Sequence, residues 1–216
     1  MSTAVGIDLG ASAIYAVKLE GTDGLASLAD ARVFLPDELD DLARFCDGAS
    51  AVAIDAPATL STNAHGNDDD LPPKFRPARC CEVASLRAAG TPPVPWITPL
   101  VGGEVSGWMQ TGFRVWEALG RHAPMEVYPH ACFYRLNGSK QPVSKQRAEG
   151  RLQRVELLRA QAELPIGADV WSHDGLDAAV AALVAHQGRE GAVQVPHECA
   201  NFDGSELWVP ALGVLG

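Results

Sequence analysis

Positive charge is scarce in this chain. Seventeen Lys and Arg stand against 27 Asp and Glu in 216 residues, a formal charge of −10. That excludes a broad basic face gripping nucleic acid by charge alone. It leaves room for a small site where metal ions supply the positive charge. No apolar run approaches the roughly 18 residues of a membrane span. No basic segment followed by an apolar one opens the chain, so a cytoplasmic protein with no membrane partner is expected. The cysteines number five, an odd count, and no CxxC pair occurs. Cys80 and Cys81 are adjacent, which does not suit the usual zinc spacing. Reduced, mostly buried thiols are the expectation.

Apolar residues are plentiful at 47%, enough for a sizeable core. No repeat or linker divides the chain, so one domain over residues 1–216 is expected. Residues 4–9, 12–19 and 25–34 read as an antiparallel meander, with turns at Gly10-Ala11-Ser12 and Gly21 to Gly24. A helix follows from Pro36 to about Cys46, then a short apolar strand at 51–55, parallel to the first. Residues 57–112 break the pattern and read as a long insert holding one helix, about Cys80 to Ala89. Then come a helix at 113–121, a strand at 124–128 and a polar loop at 130–146. Helices at about 148–163 and 172–186 follow, and short strands at 193–195 and 206–209 close the chain. The order fits a mixed sheet with helices on both faces, an α/β fold.

Four acids stand out. Asp8 in Val5-Gly6-Ile7-Asp8-Leu9-Gly10 and Asp55 in Val52-Ala53-Ile54-Asp55-Ala56-Pro57 end apolar strands. Glu126 lies inside Met125-Glu126-Val127-Tyr128-Pro129, and Asp177 opens an Ala/Val-rich helix. Charges in such settings are costly unless neutralised. Parallel first and fourth strands would bring Asp8 and Asp55 to the same sheet edge, where ligands of open α/β sheets bind. Each acid also has a structural reading. Asp8 and Asp55 suit turns, Glu126 suits an outward-facing strand position, and Asp174 with Asp177 suits a capping box.

Oxygen ligands favour Mg²⁺ or Mn²⁺. Two such ions roughly 3.5–4 Å apart stabilise attacking and leaving oxygens of a phosphoryl transfer. Around the acids, Arg79 could reach a phosphate or one of the carboxylates. His130 could serve as an acid or a phosphate contact. Lys145 belongs to a basic stretch with Lys140, Arg147, Arg151, Arg154 and Arg159. A second stretch runs through Lys74, Arg76, Arg79 and Arg87. Both read equally as solvated faces. Trp96, Trp108 and Trp116 read as packing for the insert or as stacking platforms.

Several short motifs, taken in order, resemble a known family, domain of unknown function 429. They are Gly6-Ile7-Asp8-Leu9-Gly10, Ile54-Asp55-Ala56-Pro57, Arg79-x-Cys81-Glu82, Glu126-Val127-Tyr128-Pro129-His130 and His173-Asp174-Gly175-Leu176-Asp177-Ala178. The resemblance implies a ribonuclease H-like fold with a central five-stranded mixed sheet, its first three strands antiparallel. It implies a nuclease activity, with Asp8, Asp55 and Asp177 at the metal-binding places and Glu126 as an additional acid.

A metal-dependent nuclease or phosphoesterase, cutting by a two-metal route, is therefore the leading expectation. Its partner would be nucleic acid, small or structured because the chain is acidic. Two alternatives compete. Gly6-x-Asp8-x-Gly10-x-Ser12 resembles the first phosphate loop of the sugar kinase, actin and heat-shock ATPase group. A non-catalytic binding protein on the same fold is the other. Nothing in the sequence indicates an oligomeric state.

Overall fold

The computed structural model describes residues 2–22, 25–88, 91–165, 167–168, 171–196 and 201–212. The chain opens with β1 (Ser2–Leu9), β2 (Ile14–Thr22) and β3 (Leu25–Phe34), paired antiparallel in sequence order. Gly10 N–H donates to the Ala13 carbonyl at 2.9 Å and closes the first turn. After α1 (Leu39–Phe45), β4 (Ala51–Asp55) runs parallel to β1, and β5 (Met125–Glu126) runs parallel to β4. The insert between them carries a short 3₁₀ turn (Pro73–Phe75) and α2 (Cys80–Arg87). Then α3 (Gly107–Leu119) returns the chain to β5.

Beyond β5 come α4 (Pro129–Leu136), α5 (Ala148–Arg159), β6 (Ala162–Glu163) and α6 (His173–Gly191). A small antiparallel pair, β7 (Val193–Gln194) and β8 (Trp208–Val209), follows. The main sheet has the order β5-β4-β1-β2-β3-β6. Three antiparallel strands followed by two parallel ones beside β1 make the ribonuclease H-like arrangement that the resemblance implied.

Strand alternation divides the core in two. On one face Val5, Ile7, Val52 and Ile54 pack against α1 and α3 through Leu42, Phe45, Val115 and Leu119. On the other, Ala4 and Ala53 meet the Ala/Val wall of α6, where every residue from Leu176 to Ala185 is buried. Such a helix, apolar all round, needs a site covered on all sides. Here α4, α5 and the insert close over it.

Four local expectations are corrected. Residues 130–136 form α4 and not loop. Pro129 opens that helix and Ala131, Cys132 and Phe133 are buried, but eight residues are too few to show a full amphipathic period. The helix expected over 148–163 stops at Arg159, and Ala162–Glu163 leave to pair with Ala26–Ser27 as a sixth strand. A two-residue strand leaves no alternation to read. The helix expected from Phe113 begins at Gly107, which ends the insert at Ser106. Gly112 looks like a breaker in sequence, yet a Cβ there would sit 2.9 Å from the Ala56 Cβ, so it serves close packing.

The fourth correction concerns the thiols. Cys46, Cys81 and Cys132 are free and buried as expected, but Cys80 is disulfide-bonded. The chain near residues 201–205 docks on the start of α2. There Cys80 N–H donates to Asp203 Oδ2 and Cys81 N–H to Ser205 Oγ, each at 3.0 Å. Cys199 and Ala89, the expected end of the insert helix, lie outside the described residues. Among the described residues no helix is long and apolar enough to cross a membrane.

Candidate metal and phosphate site

The pleat decides which acids can meet. Gly6 and Asp8 are two residues apart on β1 and face the same side of the sheet. A Cβ at Gly6 would lie 2.0 Å from the Ala182 nitrogen and 2.2 Å from the Ala178 oxygen of α6. Only glycine permits that approach. It seats α6 directly on β1, with Asp177 one residue before Ala178 and Asp8 two beyond Gly6. Both acids are buried, at 3% and 4% exposure. The parallel register sets Asp55 beside Asp8.

Glu126 is one step out of this pattern. It registers with Ile54, one step short of Asp55, and its carboxylate lines a small cavity with Asp55, Arg79 and Glu82, where Arg79 takes it up. Asp174 does not cap α6. Ser172 does, its Oγ accepting from Gly175 N–H at 3.1 Å, which releases Asp177 from the capping-box reading. His173 Nδ1 lies 2.6 Å from Asp174 Oδ1.

Burial pushes the Asp8 carboxyl well above its ordinary range, and the charges of Asp55 and Asp177 push it further. Asp55 is raised to about 7, first by burial and then by Asp177 and Glu126, with Asp8 and Lys145 opposing. The contact between the two carboxyls acts on them in opposite senses, raising Asp8 and lowering Asp55. Burial also raises Asp177, against the pull of Lys145. Lys145 Nζ donates to Asp177 Oδ2 at 2.5 Å, and the carboxylates around it raise its own pKa against burial.

Asp55, Asp177 and Lys145 open onto a cleft of about 560 Å³, which Trp96, Tyr128, His130 and Arg154 also line. Asp8 lies behind them. His130 approaches Gln141, Nε2 to Nε2, at 3.1 Å. Burial and the cations Arg154 and Lys145 hold its pKa below the usual histidine value, so its ring is neutral near pH 7. Trp96 packs edge-on against Trp108 and Tyr128, with ring centroids 5.3 and 5.8 Å away. It therefore joins the insert to the core and forms one wall of the cleft. Trp116 Nε1 donates to the Ala56 carbonyl at 3.0 Å and packs on the other face of the sheet.

Arg79 and Glu126 form a second buried cluster. Arg79, 1% exposed, starts α2. Its Nη1 and Nη2 donate to Glu126 at 2.8 and 2.6 Å, and its Nε donates to Glu82 at 3.2 Å. Glu82 also accepts from Arg79 N–H, Thr98 N–H and the Thr98 hydroxyl. Ala58 N–H donates to Glu126 at 2.9 Å. Thus Arg79 takes the carboxylate-partner role, and its donors do not face the cleft. The second basic stretch is largely neutralised: Arg76 pairs with Asp69, Arg87 with Asp68, and Lys74 donates to the Pro95 carbonyl. Glu82, Thr98 and Tyr128 escaped sequence reasoning as members of these clusters. Only the position of Glu82 three residues after Arg79 hinted at its link.

The donor chemistry at Asp8 and Asp55 fits a hard divalent cation: oxygen donors only, adjacent, with Asp8 buried and Asp55 half-buried, and no cation paired directly with either among the described residues. Asp177 supplies a third carboxylate close by but is engaged by Lys145. Among the described residues no group of three Asp, Glu, His or Cys side chains is already disposed around one point.

No curated protein matches this chain. Two solved structures resemble it weakly, both of Thermus thermophilus RuvC. One, in complex with a Holliday junction substrate, is 15% identical, with 88% of this chain and 97% of that chain covered and a TM-score of 0.43. The other, of RuvC described without that substrate, is 16% identical, with 88% and 96% covered and a TM-score of 0.42. Residues 108–200, which hold the Glu126–His130 and His173–Ala178 motifs, match the family described as "Protein of unknown function (DUF429)", the family that the sequence motifs resemble.

Proposed function

We propose that this chain is a metal-dependent phosphodiester hydrolase acting on nucleic acid of small or structured form. The observation that carries the reading is the Asp8–Asp55 pair, set side by side by the strand register next to buried Asp177, with Asp55 and Asp177 lining an open cleft. Like charges held together in a dry site are costly, and protein folds retain them where a cation or a reaction uses them. Mg²⁺ or Mn²⁺ held by Asp8 and Asp55, with Asp177 recruited, would supply the Lewis acidity that activates water and stabilises the leaving oxygen.

The chain's own residues supply the rest. Asp8 and Asp55 would hold the ion in their deprotonated form, so ion binding would be linked to proton release. Lys145, 40% exposed, leaves Asp177 and turns its ammonium to a phosphate oxygen in the cleft. His130, neutral and on the cleft wall, can offer a ring N–H to a phosphate oxygen of the substrate. Trp96 and Tyr128 offer apolar faces to a base or sugar. Glu126 and Arg79 act at a distance by fixing the Pro57–Ala58 turn that follows Asp55.

The test pairs cleavage with binding. Wild-type protein should cut at least one member of a panel of single-stranded, branched and duplex DNA and RNA when Mn²⁺ or Mg²⁺ is present. Asp8→Asn should reduce cutting to background while staying folded. Wild-type protein that leaves every substrate intact, and whose melting temperature ignores both ions, would remove this reading.

A further inference from the structure

Arg154 presents an imbalance that the carboxylate site does not use. It is 2% exposed. Its Nη1 donates to the main-chain oxygens of Val143 and Gly150 at 2.9 and 3.0 Å. Its guanidinium carbon lies 5.0 Å from the Phe133 ring centroid. Its Nε has no hydrogen-bond partner, and no carboxylate pairs with it among the described residues. Carbonyls and a ring face compensate a buried guanidinium only in part. Asp177, whose field reaches Arg154, is already bonded to Lys145. A buried cation kept this way lacks a counter-ion, and Arg154 lines the cleft through which one could enter.

His130 lines the same cleft and contacts Gln141. We propose that Arg154 and His130, with Gln141 steadying the ring, form an anion subsite that holds a phosphate group of the substrate. A planar guanidinium suits two phosphate oxygens at once. The inference rests on the proposed hydrolase reading and narrows its substrate. With the scissile phosphorus at Asp55 and Asp177, this subsite takes a second phosphate on the same strand. Oligonucleotides carry such a group, and simple monoesters leave the subsite empty.

The experiment uses inorganic phosphate and the full chain in a chelating buffer, so that metal chemistry plays no part. Binding is followed by calorimetry and by the NMR signal of the Arg154 Nε–H. That signal should shift saturably with phosphate. Arg154→Gln should weaken phosphate binding by about tenfold or more, whereas Arg159→Gln, an exposed change on the same helix, should leave it alone. Should Arg154→Gln fail to fold, the wild-type signal still decides, and His130→Ala with Gln141→Ala should weaken binding in parallel. Phosphate that does not bind, or binds without moving the Arg154 signal, overturns the subsite. Protein that binds phosphate here yet cuts nothing keeps the subsite and loses the hydrolase reading.

Discussion

Two buried charge clusters lie within a few residues of each other, and they are opposites. Around Arg79, one guanidinium sits between the carboxylates of Glu82 and Glu126, and main-chain N–H groups fill the remaining acceptor positions. Around Asp8, two carboxyls sit side by side, a third lies nearby, and the single lysine is spent on that third. The first cluster is satisfied and the second is not. A satisfied ionic network has nothing left to offer a ligand, so its work is structural. An unsatisfied one is stable only because the surrounding packing holds it, here the Gly6–α6 contact. That is where a ligand changes the energy most.

The sharpest way to break the contrast is to remove the cation from the satisfied cluster. Arg79→Met should destabilise the protein by about 3–5 kcal/mol, because Glu82 and Glu126 are left buried and unpaired. A urea melt checks this, and a loss under about 1 kcal/mol would show that the two clusters are not opposites. The reverse sign is expected on the other side. Asp55→Asn should stabilise metal-free protein at pH 8 by about 1–2 kcal/mol while abolishing Mn²⁺-dependent cleavage. A destabilised variant would mean that the charge pair is already compensated.

pH separates the clusters further. Burial, and then Asp177, push the Asp55 carboxyl up to about 7 in the folded protein, against about 3.9 when unfolded. Between those values the folded state keeps a proton that the unfolded state has released, so stability present at low pH is lost as pH rises toward 7. Metal-free melting temperature should therefore fall between pH 5 and pH 8, and Asp55→Asn should flatten that slope. Mn²⁺ should restore more stability at pH 8 than at pH 6, because the ion competes with protons for the raised carboxyls. A metal-free melting curve that is level across this range would count against a raised Asp55 carboxyl. The smallest expected effect concerns Glu126. Glu126→Gln keeps an acceptor for Arg79, so the Mn²⁺-induced melting shift should stay within about twofold of wild type, whereas Asp8→Asn should erase it. Equal losses in both variants would return Glu126 to the ion-binding set.

Much of the sheet was legible because its strands are long enough to show their period. The N-terminal meander and β4 stand out through apolar runs ended by Gly, Asp or Pro. What stayed hidden was short or locally ambiguous. Pro129–Leu136 holds only two turns of helix, Ala162–Glu163 only two strand residues, and Gly112 reads as a breaker until its contact with Ala56 is known. The acids divide in the same way. Asp8 and Asp55 announce themselves as charges closing buried strands. Glu126 looks equivalent along the chain, and only its ion pair with Arg79, made through space, sets it apart from the other acids. The isolation of Arg154 has no sequence signature at all. Within a basic stretch, nothing marks the one arginine whose neighbours prove to be carbonyls and a ring.

By itself, then, the order of residues determined the elements and their sequence along the sheet, because hydrophobic period and turn chemistry are local properties. It also determined that Gly6 and Asp8 share one face of their strand, since alternation assigns faces without reference to the rest of the molecule, whereas the packing of α6 on Gly6 is a tertiary contact. Tertiary structure alone decided which charges acquire partners. Coulombic compensation depends on distance through space, and Arg79 reaches Glu126 across 47 positions while Lys145 reaches Asp177 across 32. No local pattern encodes those separations.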